Sequence, residues 1–220
     1  MGIAKGTNLI VGIISSITAV SFILAILFWL LYDIIWQFII LGLVVIGYVF
    51  LVWTFRDPFR EIVLRSNGIL SPADGRIVEI EERDKGLYNV IRMSPFDVHM
   101  TRSPIKGEVK LIAFKKGSHW PAYFPEYAKK NQRNRIEIVN TEDNLTAIVT
   151  QVSGIFARRT VAYVKEGDFV NQGDVIGTIR FGSITSLEII SDKKYKLKHD
   201  VSDVVRAGTS VLAECNLDSD

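Results

Sequence analysis

The residues best suited to covalent chemistry are Gly182 and Ser183, which directly follow a strand-like run from Val175 to Phe181. A seryl hydroxyl next to a glycine carbonyl can attack it, because glycine lets the backbone bend into geometries that other residues resist. The attack moves the acyl group from nitrogen to oxygen. Elimination and hydrolysis would then cut the chain and leave a ketone, a pyruvoyl group, in place of Ser183. This chemistry needs a base, and a base needs an orienting carboxylate. His99 is the best base among the three histidines, lying between apolar neighbours in Ser94-Pro95-Phe96-Asp97-Val98-His99-Met100. Two carboxylates compete to orient it. Asp74 lies in the turn-like Pro72-Ala73-Asp74-Gly75, and Asp97 shares the face of His99 if its segment is extended. Taken singly, each has an ordinary reading: a structural histidine, a turn aspartate, a Gly-Ser turn. Gly117-Ser118 is a rival cleavage pair, but between Lys115-Lys116 and His119-Trp120-Pro121 it reads as a flexible loop.

The elements that must position these groups are short β-like runs separated by Gly, Pro and Asp. They are 76–81, 88–93, 108–114, 135–139, 146–152, 160–164, 175–180 and 186–190. Such spacing predicts a mainly β domain of sandwich or small-barrel type over 56–220. Only 121–131 reads as a helix or ordered loop. Two internal echoes sharpen the expectation. Ser71-Pro72-Ala73-Asp74-Gly75-Arg76-Ile77 matches Ser103-Pro104-Ile105-Lys106-Gly107-Glu108-Val109, and the Asp168, Val170, Gly173, Ile176 pattern returns as Asp203, Val205, Gly208, Val211. The second echo resembles the hairpin repeats of biotinyl- and lipoyl-type hybrid barrels.

Residues 1–55 differ in kind. No charge occurs from Leu9 to Tyr32 or from Ile34 to Phe55, and Asp33 alone divides the two runs. Each is long enough to cross a hydrocarbon core of about 30 Å, so the segment predicts a transmembrane hairpin. Lys5 precedes it, Arg56, Arg60 and Arg65 follow it, and the turn carries only an acid, which places both ends and the β domain on the cytoplasmic side. A net charge of +2 gives no case for nucleic-acid binding. One cysteine excludes an internal disulfide, and three histidines argue against a zinc cluster.

Four motifs in order carry a resemblance: Pro72-Ala73-Asp74-Gly75, the Ser94–Met100 segment, Gln151-Val152-Ser153-Gly154 running on to Ala157-Arg158-Arg159, and Arg180-Phe181-Gly182-Ser183. Together with the hairpin ending in Phe55-Arg56-Asp57-Pro58, the chain resembles the phosphatidylserine decarboxylase proenzymes. The likeness is to their short membrane-anchored branch, which includes archaetidylserine decarboxylases. The resemblance implies that Asp74 orients His99, that His99 deprotonates Ser183, and that the chain cuts itself between Gly182 and Ser183. The pieces, 1–182 and 183–220, would stay together as a β/α heterodimer, itself able to form a higher oligomer, with a pyruvoyl cofactor made from Ser183. The substrate would be a serine-headed phospholipid in the bilayer, diacyl or isoprenoid ether. Phe96, Phe156, Arg158 and Arg159 are candidate substrate contacts. Longer family members carry a second histidine where this chain has Phe96, which leaves His99 as the default proton donor. The rival class is a non-enzymatic membrane adaptor carrying a hybrid barrel, but the long heptad-patterned hairpin typical of such adaptors is not visible here.

Overall fold

Long apolar runs can satisfy their backbone polar groups in lipid by coiling into helices. In the computed structural model these runs form α1 (Asn8–Trp29) and α2 (Ile34–Thr54), packed against each other as a hairpin. At 22 and 21 residues each is long and apolar enough to cross a membrane. Three hydroxyls within them are satisfied locally: Ser16, Thr18 and Thr54 each donate to the carbonyl four residues back, at 2.8–2.9 Å. The structure describes residues 2–3, 8–30, 34–54, 56–62, 64–120, 130–154, 159–179 and 183–215. It divides into two compact units, Met1–Pro58 and Phe59–Asp220. In the first unit β1 (Gly2–Ile3) pairs with β2 (Arg56–Asp57), so the two ends of the hairpin meet.

The second unit is built of strands. In chain order they are β3 (Gly68–Leu70), β4 (Gly75–Arg83), β5 (Gly86–Met93), β6 (Met100–Arg102), β7 (Gly107–Lys115), β8 (Arg133–Asn140) and β9 (Leu145–Val152). Then follow β10 (Thr160–Ala162), β11 (Phe169–Val170), β12 (Val175–Ile179), β13 (Ser183–Ser191), β14 (Tyr195–Leu197), β15 (Val204–Val205) and β16 (Val211–Cys215). Each of the eight runs expected from the sequence contains a strand, although β10 stops two residues short of the 160–164 run and Arg180 lies outside the described residues. The 121–131 segment lies outside the described residues for 121–129.

The sheet orders reveal why the sequence echoes itself. The large curled sheet runs β11-β7-β8-β9-β13-β5-β4-β15, flanked by two three-stranded sheets, β10-β12-β6 and β14-β16-β3. Exchanging β7 with β4, β8 with β5, β9 with β13 and β11 with β15 maps the large sheet onto itself. The same operation exchanges the small sheets. The domain is therefore a pseudo-twofold pair: one half (β6 to β12) is inserted between β5 and β13 of the other. Matching details follow the echo. Ser71 and Ser103 each donate a hydroxyl hydrogen bond to the carbonyl two residues on, at 2.7 and 2.6 Å. Gly173 and Gly208 both adopt positive φ, at 88° and 74°, and donate their N–H to Ser103 and Ser71. Bulges fall between Ile77 and Glu79 on β4 and between Val109 and Leu111 on β7.

The core lies on the concave side of the large sheet, where Ile77, Ile91, Leu187, Val149, Ile136 and Val109 are all fully buried. Alternation along each strand selects these positions.

Candidate active site

Ser183 is the first residue of β13, the strand that lies between β5 and β9 at the middle of the large sheet. It is 3% exposed and faces Met93 across the pair, with Oγ 3.4 Å from the Met93 sulfur. Two residues along on the same face, Thr185 Oγ1 lies 3.6 Å from that sulfur. Gly182, with Arg180 and Phe181, falls outside the described residues.

His99 is also buried, at 2% exposure. Its carbonyl accepts the Ile179 N–H at 3.0 Å and the Thr178 hydroxyl at 2.9 Å. The candidate base is thus stitched by its backbone to the end of β12, and Ile179 precedes Ser183 by four residues. The following strand continues the stitch, with Met100 opposite Thr178 and Thr101 opposite Gly177.

Asp74 joins the same end of the sheet. Pro72 beside it accepts the Arg102 N–H at 2.9 Å, and Arg76 and Ile184 are both in register with Arg92. Its carboxylate is engaged by Arg60, not by the His99 ring: Nη1 and Nη2 donate to the two oxygens at 2.6 Å each. The Ala207 N–H adds a third bond at 2.8 Å, and Arg60 Nη1 also donates to the Ala207 carbonyl at 2.7 Å. The rival carboxylate, Asp97, accepts the Ser94 N–H at 2.7 Å and closes a turn with it. Phe96 stands on that turn at 65% exposure. The Gly117-Ser118 pair is held in extended pairing with 130–132, where a Cβ at Gly117 would collide with backbone atoms. Close approach explains this glycine. Of the remaining candidates, Arg159 is exposed just before β10, while Phe156 and Arg158 fall outside the described residues.

Sequence reasoning missed two partners. Arg60 lay in a connector with no signal of an ion pair 14 residues on. Gln151 did carry a signal: it ends the inward series Leu145, Ala147, Val149, Gln151 and is fully buried. Its Nε2 donates to Thr101 Oγ1 at 2.9 Å, and its Oε1 accepts from Asn134 Nδ2 at 3.2 Å.

The chain is thus a β-domain protein with an N-terminal apolar hairpin and a buried serine, histidine and ion-paired aspartate at one end of its main sheet. Comparison with known proteins makes this specific. The family model for phosphatidylserine decarboxylase matches residues 48–213. A phosphatidylserine decarboxylase proenzyme from Carboxydothermus hydrogenoformans is 35% identical over 179 residues, covering 78% of this chain and 80% of its own. A protein of Archaeoglobus fulgidus named "Putative archaetidylserine decarboxylase proenzyme" is 40% identical over 162 residues, covering 74% of this chain and 76% of its own. The chain belongs to the phosphatidylserine decarboxylase family.

Proposed function

We propose that this chain is a self-processing, pyruvoyl-dependent decarboxylase that converts a serine-headed phospholipid, phosphatidylserine or archaetidylserine, to its ethanolamine counterpart and CO2. The observation that carries the reading is Ser183 itself: dry at 3% exposure, heading a central strand, four residues past the Ile179 that binds the backbone of buried His99. Family membership supports the activity. In maturation, His99 takes the Ser183 hydroxyl proton as Oγ attacks the Gly182 carbonyl carbon. The C–N bond between them breaks as the acyl group passes to oxygen. Loss of the Ser183 α-proton then expels the Gly182 carboxylate, and addition of water with release of ammonia leaves the ketone at 183. In this reading Asp74 orients His99 once the ring N–H reaches Oδ2, which accepts a single bond here, from Arg60 Nη2.

Position 183 suits a pyruvoyl group, because the site is shielded from water and backed by a polarisable thioether. The group supplies a ketone that takes up the substrate amine and accepts the electron pair left when CO2 departs, which no ordinary side chain can do. His99 holds the proton that the product carbon receives. Arg159, with Arg158, supplies positive charge for the phosphodiester, and Phe96 and Phe156 supply apolar cover for the departing carboxylate. The hairpin anchors the domain with both ends cytoplasmic, following the Arg56, Arg60 and Arg65 that come after the second span.

Intact mass under denaturing conditions tests the reading. Of the 220 residues, 182 and 38 are expected on separate chains, the smaller lacking a free amine and trapping an added amine on borohydride reduction. Ser183→Ala should remain one inactive chain. Decarboxylation by that variant overturns the mechanism.

A further inference from the structure

His99 leads directly into β6 and Ser183 heads β13, strands of different sheets, and one side chain on β9, the partner of β13, ties β6 to that sheet. Gln151 sits on β9 directly opposite Thr185, two residues beyond Ser183 on the same face. Its amide crosses to β6 and donates to Thr101 at 2.9 Å, two residues beyond His99. Both Gln151 and Thr101 are fully buried. Gly177, opposite Thr101, leaves room for the crossing: a Cβ there would lie 2.4 Å from the Val161 carbonyl oxygen and 2.7 Å from Gln151 Nε2. Asn134, 3% exposed, fixes the far oxygen of the amide from β8, so the glutamine cannot swing.

A polar cross-link is out of place in this position on folding grounds. In the inward row next along the sheet, Ile136, Val149 and Leu187 are apolar and Asn89 on β5 is the polar exception. A buried amide must have both its ends satisfied, and here the satisfying groups come from two strands, β6 and β8, in different sheets. Resting on the self-processing reading above, we infer that Gln151 and Thr101 are positioning residues for the cut: they set the offset between the His99 and Ser183 strands. Neither touches the reacting atoms, and each acts through the strand it pins.

Full-length chain made by cell-free synthesis into nanodiscs allows the cut to be timed by gel and intact mass. Thr101→Val keeps the shape and removes the hydroxyl, and Thr101→Ser keeps the hydroxyl and removes a methyl. The inference expects Val to slow cutting by about tenfold or more, since misplacement of reacting groups by about 1 Å costs on the order of 100-fold. Ser should keep the greater part of the rate. Were Thr101 merely filling space, the order would reverse, because Ser leaves a cavity and Val does not. Gln151→Met should match Thr101→Val, and the two together should be no slower than the slower single variant. Should Thr101→Val fail to fold by near-ultraviolet circular dichroism, Gln151→Met decides alone. Cutting at the wild-type rate by Thr101→Val or Gln151→Met, or slower cutting by Ser than by Val, overturns the inference. A wild-type chain that stays whole overturns instead the self-processing reading on which it rests.

Discussion

The Arg60–Asp74 pair offers a test of the structure that does not depend on any reaction. Its side chains are 9% and 12% exposed, and the guanidinium meets both carboxylate oxygens at 2.6 Å. In Arg60→Met the carboxylate would stay in place with only the Ala207 N–H as partner. Removing one member of a buried pair costs about 3–5 kcal/mol, because the remaining charge is left without compensation. For a domain the size of Phe59–Asp220, each kcal/mol lowers the melting temperature by about 2–4 °C, so a fall of roughly 6–20 °C is expected. Thermal unfolding of the detergent-solubilised Ser183→Ala chain, uncut by design, provides the assay. Replacing both partners, Arg60→Met with Asp74→Leu, should regain a good part of the loss, since apolar substitutes for a whole buried pair are often tolerated. The exposed pair Lys85–Asp192, 74% and 67% exposed at 3.3 Å, is the internal control and should contribute under about 1 kcal/mol. If Arg60→Met melts within about 3 °C of its parent, the shift for one kcal/mol, the buried-pair argument is refuted.

Two further outcomes follow from the geometry. Burial, and then the neighbouring Cys215, push the Tyr195 phenol up to about 12, so its ionisation in a phenolate absorbance titration should come well after the ordinary value near 10 and vanish in Tyr195→Phe. Because the folded state holds this proton more tightly, the contribution to stability is complete below pH 10 and is lost as pH rises toward 12; loss on the acid side instead would contradict the assignment. After cutting, the 183–220 piece should co-elute with the rest in the absence of denaturant, since β13 is paired on both sides by β5 and β9 and β16 is paired with β3; separation on dilution in mild detergent would show that these registers do not hold it.

Much of the β framework was legible because its inward positions alternate, most cleanly on β8, where Asn134, Ile136, Ile138 and Asn140 are buried and their neighbours are not. The alternation fails where the site begins. The run expected at 186–190 starts in the structure at Ser183, because Ser183 and Thr185 occupy inward positions with polar side chains and so do not read as strand. The two-residue strands β11 and β15 are too short for any periodic signal, yet the repeated Asp, Val, Gly pattern marked both. Glycine was harder to read. Gly117 looked like a loop residue, and the structure gives it a different cause, the backbone of 130–132 lying where a side chain would go. Arg60 and Asp74 were each visible, but nothing in the sequence distance could show that a connector residue reaches across to the turn.

The place of the Gly182–Ser183 bond follows from the duplication. In one half, the chain passes from β8 to β9 through the short turn at 141–144, with Asn144 at a φ of 51°. In the other half, the matching step from β5 to β13 is interrupted by the whole inserted half, β6 to β12. Ser183 occupies the position equivalent to Leu145, for Ser183 pairs with Met93 as Leu145 pairs with Asn140. A hairpin turn at this point would put the first residue of the strand beside its own neighbour. Insertion instead brings β12 in from another sheet, carrying the backbone that binds His99. The same insertion leaves the strand after the bond fully paired, so scission there removes no ladder from the sheet. In the proposed maturation, the duplicated fold would supply the two things a self-cutting bond requires: a base delivered from outside the strand that is cut, and a product held in place once the bond is gone.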